Sequence, residues 1–519
     1  MNFSIKNINQ CKNLPNDKIQ LIADKLNINL KENITNTNKD RICNQINRIA
    51  NEINPCGIAL YKESDIQLKK HQLSVSNQLI KERGIIVVHS VGTGKTLTAI
   101  ASSQCLLNKK IIEHVIVITP TSLQKNFITQ ALQYGLTQKQ LDTYYTFYTI
   151  QGISNAVEQG KAISPNKSLI IIDEAHNLRT IGGVRFISIF KYTKKADKVL
   201  LLTATPLINY PSDIINLVGL ATGEKTISED KFNKMIENYK SGELKKYIGE
   251  IFNFYLKDYD VSDPDFPSKK IFEIFLPMEP GYLKIYEAIE QGQEHKIQDF
   301  KGKNIHVFYN GLRRASNIIE QKSPKVDWIK EKINTSPKSK YVIFSHFINM
   351  GIVPVMKWLN KMKIPYAHVT GELTIQERDE AVIKYNTDQI KILFISKAGS
   401  EGLDLKNTSN IIIMESGWNE NSMEQIIGRG VRYKSHESLS KIKRNVMVYR
   451  LYAIKPIEYK YIKKITSTHL LKLNNNMMTN EVLKSNDMLS VDLYLRNYSW
   501  LKQQELNKFE KELIKYSKK

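Results

Sequence analysis

The residues best equipped for chemistry are a lysine and a threonine behind two spaced glycines, in the run His89-Ser90-Val91-Gly92-Thr93-Gly94-Lys95-Thr96. The apolar stretch Ile85–Val88 leads into this run and a helix-forming stretch leaves it, which is the strand–loop–helix setting of a phosphate-binding loop. Gly92 and Gly94 let backbone N–H groups curl around phosphate oxygens, and the helix N-terminus adds its positive dipole end. Lys95 is placed to reach the β- and γ-phosphates and Thr96 to ligate Mg²⁺. His89 stands where the GxxxxGK[ST] pattern usually has its first glycine.

Downstream, the apolar run Leu169–Ile172 delivers two adjacent carboxylates, Asp173 and Glu174, followed by Ala175 and His176. At the end of a buried strand, Asp173 would hold magnesium through its water shell and Glu174 would polarise an attacking water. The expected cofactors are therefore ATP and Mg²⁺. Far along the chain, Gln425-Ile426-Ile427-Gly428-Arg429-Gly430-Val431-Arg432 supplies two arginines. A guanidinium presented in trans to a transferring phosphoryl group is worth about 10³–10⁵ in rate. If Arg429 and Arg432 come from a second domain, ATP is cleaved only when a cleft closes. His71, His89, His176, His346 and His368 show no metal-ligand spacing. The aromatic cluster Tyr144, Tyr145, Phe147 and Tyr148 reads as a buried helix face or strand ahead of a base-stacking surface.

Positioning these groups requires parallel sheets. Short β-rich runs at Ile85–Val88, Val115–Ile118, Leu169–Ile172 and Val199–Leu202 alternate with helical stretches, and a second set follows at Tyr341–Phe344, Ile392–Ile395, Ile411–Met414 and Val446–Leu451. Strands spaced by crossover helices predict two α/β units in tandem. The expected divisions are a helical N-terminal module over 1–54, a first α/β domain over 55–220, a mainly helical insertion with an extended link over 221–325, a second α/β domain over 326–469, and a basic helical tail over 470–519.

Composition narrows the partner. The 519 residues carry 75 Lys+Arg against 52 Asp+Glu, a surplus of 75 − 52 = +23. That balance favours a polyanion, since neutralised phosphates release counterions. Cys11, Cys43, Cys56 and Cys105 form no CxxC pair, so reduced, buried thiols and a cytoplasmic setting are expected. The N-terminus lacks a signal-peptide core, and no apolar run approaches the ~20 residues that cross a bilayer.

GTGKT followed by DEAH resembles the superfamily 2 helicases and translocases, whose remaining motifs occur in order over residues 65–455. Leu68–Leu73 is similar to the upstream segment in which a glutamine, here Gln72, recognises adenine. Val117–Leu123 resembles the loop that contacts the nucleic-acid backbone, which implies Thr119, Pro120 and Thr121 as contacts. Leu202–Pro206 resembles the segment coupling hydrolysis to movement, implying roles for Thr203 and Thr205 together with His176, which would link the motifs of the two domains. Ile343–Phe347 opens the second domain and Ser396–Leu405 resembles a further coupling motif. These imply Ser345, Lys397 and Ala398 at nucleic acid and Gly402, Asp404 and Gln425 at the nucleotide, alongside Gly92, Thr93, Gly94, Lys95, Thr96 and Asp173. The implied fold is α/β: two tandem RecA-like parallel-sheet domains, with a small helical N-terminal module that resembles a SAP-like module, a helical insertion and a helical C-terminal tail.

Finer features resemble the Swi/Snf-like branch: Thr205–Asn209, Ser416–Asn419, Leu312–Asn317 and Met278–Tyr286. Gly428–His436 and Val446–Tyr452 look like helicases of large cytoplasmic DNA viruses, among them the poxvirus nucleoside triphosphate phosphohydrolase I and early transcription factor small subunit. The resemblance implies a DNA-dependent ATPase, translocase or helicase beside a viral RNA polymerase or transcription factors, without a membrane. An ATP-dependent RNA helicase and a non-catalytic, nucleotide-gated clamp are the alternatives.

Overall fold

The structure, a computed structural model, describes residues 11–25, 30, 33–53, 68–256, 266–298, 305–460, 462 and 489–517, without 91, 181, 225, 239–241, 398 and 400–402 inside those spans. The chain divides into two compact units. The first comprises Met1–Lys257 with Lys508–Lys519, the second Asp258–Asn507.

In the first unit, β1 (Gly84–His89), β2 (His114–Ile118), β3 (Tyr145–Tyr148), β4 (Ser168–Ile172), β5 (Lys198–Thr203) and β6 (Phe252–Tyr255) form one sheet in the order β3-β2-β4-β5-β1-β6. Every pairing is parallel. β1 and β4 are buried along their whole length, which is why they read as unbroken Ile/Val/Leu runs without alternation. Gly84 begins β1 where a Cβ would stand 2.2 Å from the Ala221 carbonyl oxygen, so the helix Ile214–Thr222 closes against bare backbone. Of the aromatic cluster, Tyr145, Phe147 and Tyr148 lie on β3 while Tyr144 ends the preceding helix and is exposed, and the Tyr145 hydroxyl is held by Ser103 and Gln104 at 2.7 and 2.9 Å.

The second unit carries β7 (Ser268–Pro277), β8 (Tyr341–Phe344), β9 (Tyr366–Val369), β10 (Ile392–Ile395), β11 (Asn410–Ile413) and β12 (Asn445–Ile454) in the order β7-β12-β11-β8-β10-β9, again wholly parallel. Val342 and Phe344 enter one core, Tyr341 and Ile343 another. That alternation is a sheet covered on both faces.

Two expectations need correction. The 221–325 segment does contain helices, but it also delivers β6 to the first sheet and the ten-residue β7 to the second. The described cysteines are not reduced. Cys11 and Cys43, 32 residues apart, form a disulfide with Cα atoms 5.7 Å apart, and Cys105 is disulfide-bonded as well. The physical reason lies in the N-terminal module. Among the described residues, its helices Asn16–Lys25 and Lys39–Ile53 enclose a small core of Cys11, Ile19, Ala23, Ile42, Cys43 and Ile46, with Leu14, Leu30 and Ile34 packed against it, and a small core is the setting in which a covalent staple adds most. Among the described residues no helix is long and apolar enough to cross a membrane. Of the expected C-terminal tail, residues 470–488 and 518–519 lie outside the described residues, and 491–516 form the helix Val491–Tyr516.

Candidate active site

β1 runs into the phosphate-type loop and the helix Lys95–Asn108 leaves it. Gly92 and Gly94 take φ of 78° and 86°, in the left-handed region that glycine reaches without a Cβ penalty. Gly94 is constrained twice over, because a Cβ there would meet Gln72 Nε2 at 2.5 Å. The Lys95 ammonium lies across the loop, donating to the carbonyls of His89 (2.9 Å) and Ser90 (3.4 Å). The Thr93 hydroxyl donates to Ser90 O at 2.7 Å. Thr96 is half-buried one residue into the helix. Gln72 is buried beneath the loop: its Oε1 accepts from Lys69 N (2.8 Å), and its Nε2 donates to Thr93 O (3.4 Å) and Gly94 O (3.3 Å). The structure thus brings Gln72 into contact with Thr93 and Gly94, while Lys95 lies across the same loop.

Asp173 and Glu174 follow β4 at its carboxyl end, where open parallel sheets bind ligands. Asp173 Oδ1 accepts from Glu174 N at 3.0 Å, and Glu174 itself is left-handed, with φ 50° and ψ 46°. Desolvation, and after it the Glu174 charge, push the Asp173 carboxyl up to about 7, although the Lys95 ammonium pulls the other way. Glu174 Oε2 lies 3.3 Å from His176 Nδ1. The same nitrogen is 3.2 Å from the Thr203 hydroxyl, which accepts from Thr205 N at 3.0 Å. Burial lowers the His176 pKa, so the imidazole is neutral at pH 7. These bonds link the strand ends of β4 and β5 inside the first unit. Thr119 is fully buried, whereas Thr121 is exposed at the start of the helix Thr121–Tyr134 and Pro120 is intermediate. Any contact of that loop with a nucleic acid falls to Pro120, Thr121 and main-chain groups, not to the Thr119 hydroxyl.

In the second unit Ser345 is also fully buried. Its hydroxyl donates to the buried Glu415 carboxylate, which further accepts from the Asn317 side chain and from His346 N at 3.0 Å. Burial would raise the Glu415 pKa, but the His346 hydrogen bond and the charges of His346 and Lys325 outweigh it and bring it to about 2. Lys325 donates to Asn317 Oδ1 at 3.0 Å and pairs with Asp492 at 2.7 Å, both side chains being fully buried. The expected contact Ser345 therefore organises the ends of β8 and β11 from within, while Lys397, beyond β10, is exposed. Gln425 and Arg429 lie on the helix Glu420–Gly430. Arg432 donates to Leu403 O at 2.8 Å and stands 3.8 Å from the exposed Asp404. Ala398 and Gly402 lie outside the described residues. Asn253, Glu415, Lys325 and Asp492 escaped sequence reasoning, since each acts through partners distant along the chain.

The residues suit a magnesium nucleotide. Asp173 is buried beside the charge of Glu174, and both effects raise its pKa, a shortage of positive charge that a divalent cation would relieve. Among the described residues no cluster of three or more His, Cys, Asp or Glu could hold a metal alone.

Three family models match successive parts of the chain: Type III restriction enzyme, res subunit, over residues 65–208; SNF2-related domain over 141–323; and Helicase conserved C-terminal domain over 324–434. "Putative ATP-dependent RNA helicase L538" of Acanthamoeba polyphaga mimivirus is 31% identical over 453 residues, covering 83% of this chain and 98% of that protein. "Nucleoside triphosphatase I" of Heliothis armigera entomopoxvirus is 24% identical, covering 74% and 73%. Among solved structures, the Sulfolobus solfataricus SWI2/SNF2 ATPase core in complex with dsDNA is 19% identical, with a TM-score of 0.36 over 86% of this chain and 97% of that one.

Proposed function

The chain belongs to the SNF2-related helicases that include viral helicases and nucleoside triphosphatase I, and from that premise we propose that it is a magnesium-dependent motor that moves on DNA. That it is a nucleotide-hydrolysing enzyme of a family acting on nucleic acid follows from membership. The finer reading rests on one observation above all: His176 meets the Thr203 hydroxyl, which accepts from Thr205 N, and the same imidazole nitrogen stands 3.3 Å from Glu174 Oε2 beside the phosphate loop. A change of charge at that carboxylate would act on the imidazole beside it, which meets Thr203 at the end of β5.

Thr96 and Asp173 would hold the magnesium, which when bound neutralises charge on the β- and γ-phosphates. Lys95 binds the phosphates by leaving the His89 and Ser90 carbonyls. Glu174 accepts the proton of the attacking water, and neutral His176 stands beside it. Arg429 and Arg432 act on the transition state. DNA is preferred because the features of the Swi/Snf-like branch, Thr205–Asn209 and Ser416–Asn419, stand beside the SNF2-related match. Similarity to the poxvirus-type enzymes supports work alongside a viral transcription apparatus. An RNA substrate is the second reading, favoured by the name of the mimivirus relative.

Turnover measured across duplex DNA, single-stranded DNA and RNA, at low and moderate salt, tests the proposal. Duplex DNA is expected to stimulate most, with stimulation falling steeply as salt rises because of the +23 charge. Stimulation by RNA alone refutes the DNA assignment. In the same assay folded Glu174→Gln should lose about 10²-fold or more in turnover. Normal turnover in that variant removes Glu174 as the base, and absence of turnover in the natural protein leaves the nucleotide-gated clamp.

A further inference from the structure

His89 occupies the position that the phosphate-loop pattern gives to glycine, and its side chain is completely buried. Its Nε2 donates to Asn253 Oδ1 at 3.0 Å. Asn253 lies within β6, beside β1, in register with Val87. Its amide N–H groups donate to Ser74 Oγ (3.1 Å) and Gln78 Oε1 (3.0 Å), both on the helix Lys70–Lys81. That helix also carries Gln72, which grips the carbonyls of Thr93 and Gly94, and His71, whose Nε2 is 3.2 Å from Thr93 O. The His71 ring lies flat on Tyr255 at 3.6 Å, and Tyr255 O accepts from Ser90 N at 3.1 Å. The circuit is closed: phosphate loop to helix, helix to β6, β6 back to the loop.

We infer that Asn253 is a positioning residue that couples recognition of the base to binding of the phosphates. It rests on the reading of Gln72 as the residue that meets the adenine. Lys95 donates to the His89 carbonyl, so its departure toward a phosphate frees the very residue whose imidazole Asn253 holds. Asn253 keeps that residue and the helix bearing Gln72 in one register. The two Gln72–loop hydrogen bonds are long, at 3.4 and 3.3 Å, and without a fixed helix they are the first to be lost. Loss of the node should therefore cost affinity for the correct base specifically, while general loosening costs all nucleotides alike.

The test uses the full chain with kcat and KM measured for ATP, GTP and UTP. Asn253→Leu removes both the acceptor and the donors; Asn253→Asp keeps the acceptor for His89 and removes the donors to Ser74 and Gln78. Each variant should raise KM for ATP about ten-fold or more, since Asn253→Leu removes three side-chain hydrogen bonds and Asn253→Asp two. Each should also lower the ratio of kcat/KM for ATP to that for GTP and UTP by a similar factor, with kcat falling less than KM rises. A folded variant, of either kind, with an unchanged ATP preference overturns the inference. So does a natural protein that turns over all three nucleotides equally. A natural protein without ATP turnover instead overturns the reading of the site itself.

Discussion

Replacing Glu415 with glutamine removes a charge while keeping the side chain's shape. The carboxylate is fully buried among Ser345, His346 and Asn317, and its pKa falls from 4.5 to about 2. At about 1.4 kcal/mol for each tenfold change in acidity, that depression corresponds to roughly 3 kcal/mol of folding stability. The folded pKa lies below the unfolded one, so the contribution is complete above about pH 5 and is lost as pH falls toward 2. Glu415→Gln should therefore destabilise the second unit by about 3 kcal/mol at pH 7, and the gap should narrow as unfolding is repeated at pH 5, 4 and 3. Urea titration followed by tryptophan fluorescence isolates the effect, because Trp328, Trp358, Trp418 and Trp500 all belong to the second unit. A difference that stays constant from pH 7 to pH 3 would refute the assignment of an ionised, network-held Glu415.

Lys325→Met strands Asp492 as an uncompensated buried charge and should cost about 3–5 kcal/mol of second-unit stability by the same urea assay. Adding Asp492→Asn should recover much of that loss, whereas additive losses would count against a specific ion pair. Arg432→Ala should lower kcat far more than it weakens ATP binding measured by titration, and equal losses would argue for a binding role alone.

The catalytic half of the site was legible in the sequence because it is local. A strand, a glycine loop and a helix occupy consecutive residues at Ile85–Thr96, and Asp173 and Glu174 follow β4 directly. Spacing within a motif is enough to locate such groups. It does not say which side chains turn inward, so Ser345 and Thr119, expected at a nucleic acid, instead lie in the interior. Nor does local pattern show partners from distant segments. β6 is four residues, Phe252–Tyr255, with no alternation to mark it, and Asn253 acquires its role only beside His89. The Lys325–Asp492 pair spans 167 positions (492 − 325), and neither residue has a neighbour in sequence that betrays it. Cys11 and Cys43 failed the same way, since pair-spacing rules detect metal knuckles and say nothing of two sulfurs joined through a fold.

That disulfide makes the N-terminal module a product of its chemical surroundings. Closing a loop of about 30 residues is worth about 3–4 kcal/mol in the chain-entropy account, a large share of what a small core supplies. A sample purified in millimolar dithiothreitol and one purified without thiol are then two different proteins over their first fifty residues, and reconstitution experiments have to choose between them before the first binding curve is measured.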